Sequence, residues 1–169
     1  MWQEAWTRLD LVARAVLPAI VTLALILIGL VPLRMADLSP VVPSLAVVAV
    51  FYWTIHRPAL MPIWAVFLVG LFHDLIADGP LGVGILTLLL VHALVEGNRR
   101  FLVGTSFAIV WLVFALVAAA AAVAGWALTC LIEARLFDFE PTLFRYFGTV
   151  AVYPCLAWLF GQLQRLLQR

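Results

Sequence analysis

Six apolar runs follow one another along the chain, each separated from the next by a short polar or proline-containing segment. Their apolar positions are continuous rather than alternating, which indicates helices in lipid. A helix needs roughly 20 apolar residues to cross the hydrocarbon core, where it satisfies its own backbone hydrogen bonds. The pattern therefore predicts an all-α integral membrane protein with a single domain of six transmembrane helices, at residues 15–33, 38–55, 59–76, 80–96, 102–132 and 142–164.

The fifth and sixth runs are irregular. The fifth has 31 residues, which as a helix would extend about 46 Å, against about 30 Å of hydrocarbon. It must therefore tilt, break or project beyond the membrane surface. The sixth contains Pro154, which cannot donate a backbone hydrogen bond and so frees the carbonyl of Val150. A kink is expected at this point.

The segment before the first run, residues 1–14, carries Trp2, Trp6, Leu9 and Ala13 at helical spacing. This spacing predicts a short helix at the membrane interface. A signal peptide is the alternative, because arginine precedes an apolar run. No small-x-small cleavage site follows that run, which favours an uncleaved first span.

Composition agrees with a membrane protein. Apolar residues make up 66% of the chain and charged residues 11%, with a mean hydropathy of +1.15. Such a chain has too few polar groups to cover a water-facing surface, so a soluble globular domain is excluded. The net charge of +1 gives no reason to expect a nucleic-acid partner.

The arginines divide unequally between the two predicted sides of the membrane. One side carries seven and the other three. Because cytoplasmic segments are enriched in basic residues, both termini are predicted to lie in the cytoplasm. The seven are Arg8, Arg14, Arg57, Arg99, Arg100, Arg165 and Arg169, and the three are Arg34, Arg135 and Arg145.

Candidate chemistry is sparse. The chain has none of the HExxH, GxSxG or CxxC signatures, so no catalytic, cofactor-binding or metal-binding residue is predicted. Gly79, Gly82 and Gly84 do not form a phosphate-binding loop, because no strand precedes them and no lysine follows. They predict a tight turn that opens the fourth span.

Asp74 is an ionisable residue within a predicted span. An ionisable side chain inside the membrane costs free energy, so its presence there needs an explanation. Gly70 lies one turn earlier on the same helix face and would let another helix approach closely. Asp74 could then bond to that helix, or cap the fourth span through its free backbone N–H groups. A proton or substrate relay and a contact with a partner protein are the alternatives.

Other polar residues within the runs have simple interpretations. His92 and Glu96 stand four residues apart, which predicts a local ion-pair cluster with Arg99 and Arg100; two ligands alone do not make a metal site. Cys130 and Cys155 lie inside apolar runs and are expected to be buried packing residues.

Small residues line one face of the fifth run, at Ala118, Ala121 and Gly125 within 118–125. Such faces let helix backbones approach closely. Packing within the protein is one interpretation, and docking of a partner's transmembrane helix is the other.

The middle third of the chain resembles a known family. His56-Arg57-Pro58 follows the second span, and Gly70-Leu71-Phe72-His73-Asp74 and Gly79-Pro80-Leu81-Gly82 follow in turn. The spacing Gly-x3-Asp-x7-Gly across a short hairpin is similar to that of MreD, the rod shape-determining membrane protein of bacteria. Length and span count agree along the whole chain.

This resemblance implies a non-enzymatic role in the bacterial inner membrane. MreD-like proteins act beside MreC, which has one transmembrane helix, in the machinery that builds lateral peptidoglycan. RodA and a class B penicillin-binding protein would be partners, either directly or through MreC. The MreB filament would be an indirect partner, and membrane lipids would surround the protein. No cofactor is implied.

The resemblance also assigns expected roles to residues. Gly70, Asp74 and Gly82 match the family motif, and His56, Arg57 and Pro58 match its basic inner loop; they would shape the fold or face a partner. The family's fold is similar to the substrate-binding membrane subunits of energy-coupling-factor vitamin transporters. Such a subunit is the alternative function, and it would require an outward pocket with convergent polar groups.

Overall fold

The computed structural model describes residues 43–58, 61–77 and 79–166, with side chains as far as residue 162. Within these ranges the chain forms five α-helices and no strand. They are α1 (Leu45–His56), α2 (Ile63–Ile76), α3 (Val83–Leu102), α4 (Phe107–Glu133) and α5 (Glu140–Leu166). The prediction of an all-α protein is confirmed for this part of the chain.

The helices correspond to the second to sixth predicted spans. The predicted interfacial helix at 1–14, the predicted first span at 15–33, and the first residues of the second and third spans lie outside the described residues. Among the described helices, α4 and α5 are long and apolar enough to cross a membrane, over Phe107–Ile132 and Glu140–Gln162. Only 22% and 17% of their apolar windows are buried in the protein, so much of both helices faces outward.

The junction between α3 and α4 differs from the predicted spans. Helix α3 continues past residue 96 to Leu102, and α4 begins only at Phe107. The polar residues near Arg99 and Arg100 end the apolar run but not the helix, since basic side chains in a last turn interact favourably with the helix dipole. The chain turns instead at Gly104, whose φ of +92° suits glycine. Helix α4 then has 27 residues, about 40 Å, still longer than the hydrocarbon core.

Helix α1 is the centre of the bundle. Every side chain from Ala46 to Ile55 is buried, so α1 is enclosed on all sides. A helix that is apolar all round suits such a position at the core of a bundle. Helix α3 packs beside α1, α2 and α4, and α5 packs against α4 and contacts α1.

Aromatic rings join α1 to α4 and α5. The ring of Phe51 lies 5.0 Å from that of Phe114 and 5.7 Å from that of Tyr153, both edge-on, and the latter two rings stack at 4.2 Å. Phe160 contacts the rings of Tyr52 and its neighbour on α1. Each such pair contributes about 0.5–1.5 kcal/mol beyond area burial.

The carbonyl that Pro154 leaves free has a partner on the neighbouring helix. The indole Nε1 of Trp111 donates a hydrogen bond to the carbonyl oxygen of Val150 at 3.1 Å. Pro154 itself lies inside the continuous helix α5. The bond that the proline removes within α5 is thus replaced by one between α4 and α5.

The prediction that both cysteines are buried is wrong. Cys130 is half-buried, and Cys155 is exposed on the outside of the described bundle. An apolar run shows that a residue is compatible with lipid, but it does not show which face of the helix turns toward the protein. Both cysteines are free thiols.

Candidate functional site

The junction between α2 and α3 is organised by one buried carboxylate. Asp74, 6% exposed near the end of α2, accepts hydrogen bonds from the backbone N–H groups of Gly82 (2.9 Å), Gly84 (2.9 Å) and Ile85 (3.2 Å). These N–H groups belong to the first turn of α3 and its N-cap, which have no acceptor within their own helix. Of the alternatives for Asp74, the structure therefore shows a cap on the following helix. His73 Nδ1 lies 3.4 Å from the same carboxylate.

Two glycines make this cap possible. Gly82 is the N-cap residue of α3 and has a φ of +102°, a left-handed conformation that favours glycine. At Gly84 a Cβ atom would collide with Asp74 Oδ1, so only glycine leaves room for the carboxylate. Gly79, by contrast, has open space around its Cβ position.

Gly70 allows α2 and α3 to approach closely. A Cβ atom at Gly70 would lie 2.7 Å from the Cα atom of Ile85, closer than two carbon atoms can approach. Ile85 is also one of the three donors to Asp74. Gly70, Asp74 and Gly82, the three residues of the predicted motif, thus meet at one helix junction.

At the opposite end of the bundle, polar residues join α1 to α3. His92 Nδ1 lies 3.1 Å from the hydroxyl of Thr54, which in turn donates to the carbonyl of Val50. His92 Nε2 lies 3.3 Å from Glu96, as its spacing predicts. Arg99 Nε donates to the carbonyl of Ile55 at 3.2 Å, in the last turn of α1. Within the described residues, the predicted ion-pair cluster forms only in part: His92 approaches Glu96, but Arg99 and Arg100 form no ion pair with Glu96, because Arg99 turns across to α1 instead.

The predicted basic segment closes α1. His56 is the last residue of this helix, stacks on the ring of Tyr52 at 4.1 Å and bonds to the Tyr52 carbonyl. Arg57 is the C-cap residue, and Pro58 follows it. His56 is exposed and the other two are half-buried, so the segment remains accessible at this end.

The small-residue face of α4 turns inward. Ala118 and Ala121 are buried, and a Cβ at Gly125 would lie 3.5 Å from the hydroxyl of Thr87 on α3. The face therefore contacts α3, which is the intramolecular interpretation of the pattern.

A cavity of about 510 Å³ opens beside this face, at the end of the bundle that carries the C-terminus of α2 and the N-terminus of α3. We call this the hairpin end. All five helices contribute to the cavity wall. Its polar lining includes Asp74, Thr87, Arg145 and Thr149. Of these only Asp74 was predicted as a site residue; the sequence used Arg145 only for membrane orientation, and only the fold brings it together with the two threonines.

The polar residues give no sign of a metal centre: no group of three His, Cys, Asp or Glu side chains is suitably placed in the part of the chain that the structure describes. Asp74, its one buried carboxylate, is already bonded to backbone N–H groups. These hydrogen bonds connect the end of α2 to the start of α3.

A known protein family matches most of this chain. The family model described as "rod shape-determining protein MreD" matches residues 10–166, nearly the whole chain. No curated protein and no solved structure matches the chain significantly, so the expected likeness to vitamin-transporter subunits stays a prediction. The Gly70, Asp74 and Gly82 motif that first suggested this family lies within the matched range. The chain therefore belongs to the MreD family of rod shape-determining membrane proteins.

Proposed function

We propose that this protein is a non-enzymatic scaffold of the bacterial cell-elongation machinery. In this proposal it crosses the inner membrane six times, binds the transmembrane helix of MreC and supports lateral peptidoglycan synthesis by RodA and a class B penicillin-binding protein. The observation that carries the proposal is the family match over residues 10–166. The geometry supports it, since Asp74 and Arg99 each form hydrogen bonds that hold two helices together.

The hairpin of α2 and α3 provides the rigid part of this scaffold. The close approach at Gly70 and the three bonds to Asp74 fix α2 against α3 along one side. The other side of α2 carries large exposed apolar residues, which we call the α2 outer face: Ile63, Trp64, Phe67, Leu68 and Leu75. In lipid, helices associate through close packing and a few hydrogen bonds, so a broad and rigid face suits a partner helix.

We place the MreC helix on the α2 outer face because the other candidate surface lies inside the protein. Ala118 and Ala121, on the small-residue face of α4, are buried inside the protein. Leucine substitutions there would alter the fold as well as any interface. The α2 outer face can be altered without disturbing the described core.

Co-purification with MreC from native membranes tests this surface. Leu68→Trp adds bulk to the α2 outer face, where Leu68 is 53% exposed. Leu112→Trp is the matched control on α4, where Leu112 is 62% exposed. Overpacking at an interface costs about 1–3 kcal/mol, so the Leu68 variant should bind MreC roughly tenfold less tightly. Equal MreC recovery with both variants, at equal expression, would exclude the α2 outer face.

Cell shape and topology test the wider proposal. In rod-shaped cells that lack their own MreD, the wild-type chain and Leu112→Trp should restore the rod form, and Leu68→Trp should not. A fluorescent protein that matures only in the cytoplasm should fluoresce when fused after Arg169 or inserted at Gly104, but not when inserted at Arg135. Fluorescence at all three sites would contradict the six-span topology.

A further inference from the structure

The cavity at the hairpin end has the size of a small-molecule site. Its volume of about 510 Å³ lies within the range of about 300–1,000 Å³ that is typical of ligand pockets. One wall is apolar and made of small residues, including Ala118, Ala121 and Ala122 of α4. Polar groups from the other helices lie around it.

Arg145 is the unusual member of the lining. Its guanidinium forms no hydrogen bond or ion pair with any other residue that the structure describes. It lies in the second turn of α5 and is exposed in the described bundle. It also lies within a segment apolar enough to cross a membrane, where a charged side chain is costly and usually marks a function.

The other groups that line the cavity leave little to compete for an anion. The Asp74 carboxylate is bonded to backbone N–H groups, and the Thr149 hydroxyl accepts from Ser44 N and donates to the carbonyl of Arg145. The hydroxyl of Thr87 is buried and has no partner among the described residues. Asp138 also lines the cavity, on the segment between α4 and α5; it and Arg145 are both exposed, and they form no ion pair with each other in the described bundle.

We infer that this cavity binds the acidic headgroup of an amphiphile. The phosphate or carboxylate oxygens of the ligand bind the guanidinium of Arg145, which matches such groups in charge and geometry. The apolar part of the ligand lies along Ala121 and Ala122. A membrane phospholipid and a soluble phosphate ester share the headgroup chemistry. Binding does not require MreC, so this inference stands apart from the proposed scaffold function.

Native mass spectrometry of the full chain in neutral detergent tests the inference. The probes are phosphatidylglycerol, glycerol phosphate and uncharged diacylglycerol. Arg145→Gln should bind phosphatidylglycerol about tenfold less tightly, because a hydrogen-bonded charge pair is lost. Arg145→Lys should retain most of the binding. The matched control is Arg135→Gln, on an exposed arginine that does not line the cavity, and it should bind like the wild type.

A second pair of variants tests the cavity independently of charge. Ala122→Leu fills part of the volume, whereas Ala120→Leu adds the same bulk at a position of similar burial outside the lining. The first should weaken phosphatidylglycerol binding and the second should not, and this pair decides the matter if Arg145→Gln does not fold. Binding of glycerol phosphate as tight as that of the lipid would retain the anion site at Arg145 but overturn the amphiphile as its ligand. Unchanged phosphatidylglycerol binding in both Arg145→Gln and Ala122→Leu would overturn the inference, as would diacylglycerol binding that is equally tight.

Discussion

The cap at the start of α3 predicts that the effects of substituting Asp74 and Gly84 on the free energy of unfolding depend on each other. In Asp74→Ala, the N–H groups of Gly82, Gly84 and Ile85 lose a charged acceptor. Hydrogen bonds to charged groups contribute about 1.5–3 kcal/mol each, and an N-cap substitution alone costs about 0.5–2 kcal/mol. At the lower value for each of the three bonds, the free energy of unfolding should fall by roughly 4.5 kcal/mol.

Gly84→Ala should be damaging for the same reason. The new Cβ would collide with Asp74 Oδ1 and push the carboxylate away from its donors. Overpacking costs about 1–3 kcal/mol, and the displaced bonds add to it, so a loss of about 3 kcal/mol is expected. Gly79→Ala is the control, because its Cβ position is open and should change stability by less than about 0.5 kcal/mol.

The double variant gives the sharpest test. Once Asp74 is alanine, the Cβ at position 84 no longer meets a carboxylate. Its other close neighbour, His73 Nδ1 at 2.8 Å, belongs to a half-buried side chain that can turn away. Alanine is favoured over glycine in a helix by about 0.5–1 kcal/mol. Asp74→Ala with Gly84→Ala should therefore be no less stable than Asp74→Ala alone, which gives a coupling energy of about 3 kcal/mol. Unfolding in mixed micelles, followed by tryptophan fluorescence, measures all four proteins. Additive losses, or a Gly84→Ala variant as stable as Gly79→Ala, would refute the reasoning.

Two further predictions concern helix contacts. Gly70→Ala should lower the free energy of unfolding by about 1–3 kcal/mol, because its Cβ meets the α3 backbone. Gly97→Ala, with nothing within 4 Å, should raise it slightly, and the opposite order of stabilities would contradict the close approach. Trp111→Phe should cost about 1 kcal/mol by leaving the Val150 carbonyl without its donor. That cost should disappear in a Pro154→Ala background, where residue 154 supplies an N–H of its own, and an unchanged cost would exclude this role for the indole.

Local features of the hairpin could be predicted from the sequence, because they depend on neighbouring residues. Gly70 and Asp74 are one turn apart, and the turn that follows is short, so the carboxylate had to lie near the start of the next helix. The requirement for glycine at position 84 could not be predicted. It depends on how α2 rotates against α3, and that rotation sets whether a Cβ meets Asp74 Oδ1.

The end of α3 and the start of α4 show a second limit of prediction from sequence. Hydropathy marks where a segment tolerates lipid, and it changes at the polar residues near Arg99, whereas the helix itself continues to Leu102. The turn at Gly104 depends on a backbone conformation instead. Apolar runs therefore predicted that these helices exist, but they did not predict where each helix stops.

The sequence by itself determined the helical class, the apolar segments that suit a membrane, and the carbonyl that Pro154 leaves free. These are properties of consecutive residues, and the physics of burial and backbone bonding acts on them locally. Only the tertiary structure decided that Trp111 would bond to that carbonyl, 39 residues along the chain, and that Arg145 would line a cavity with Thr87. Contacts of this kind depend on how whole helices rotate and cross, and those angles follow from the packing of every side chain between them.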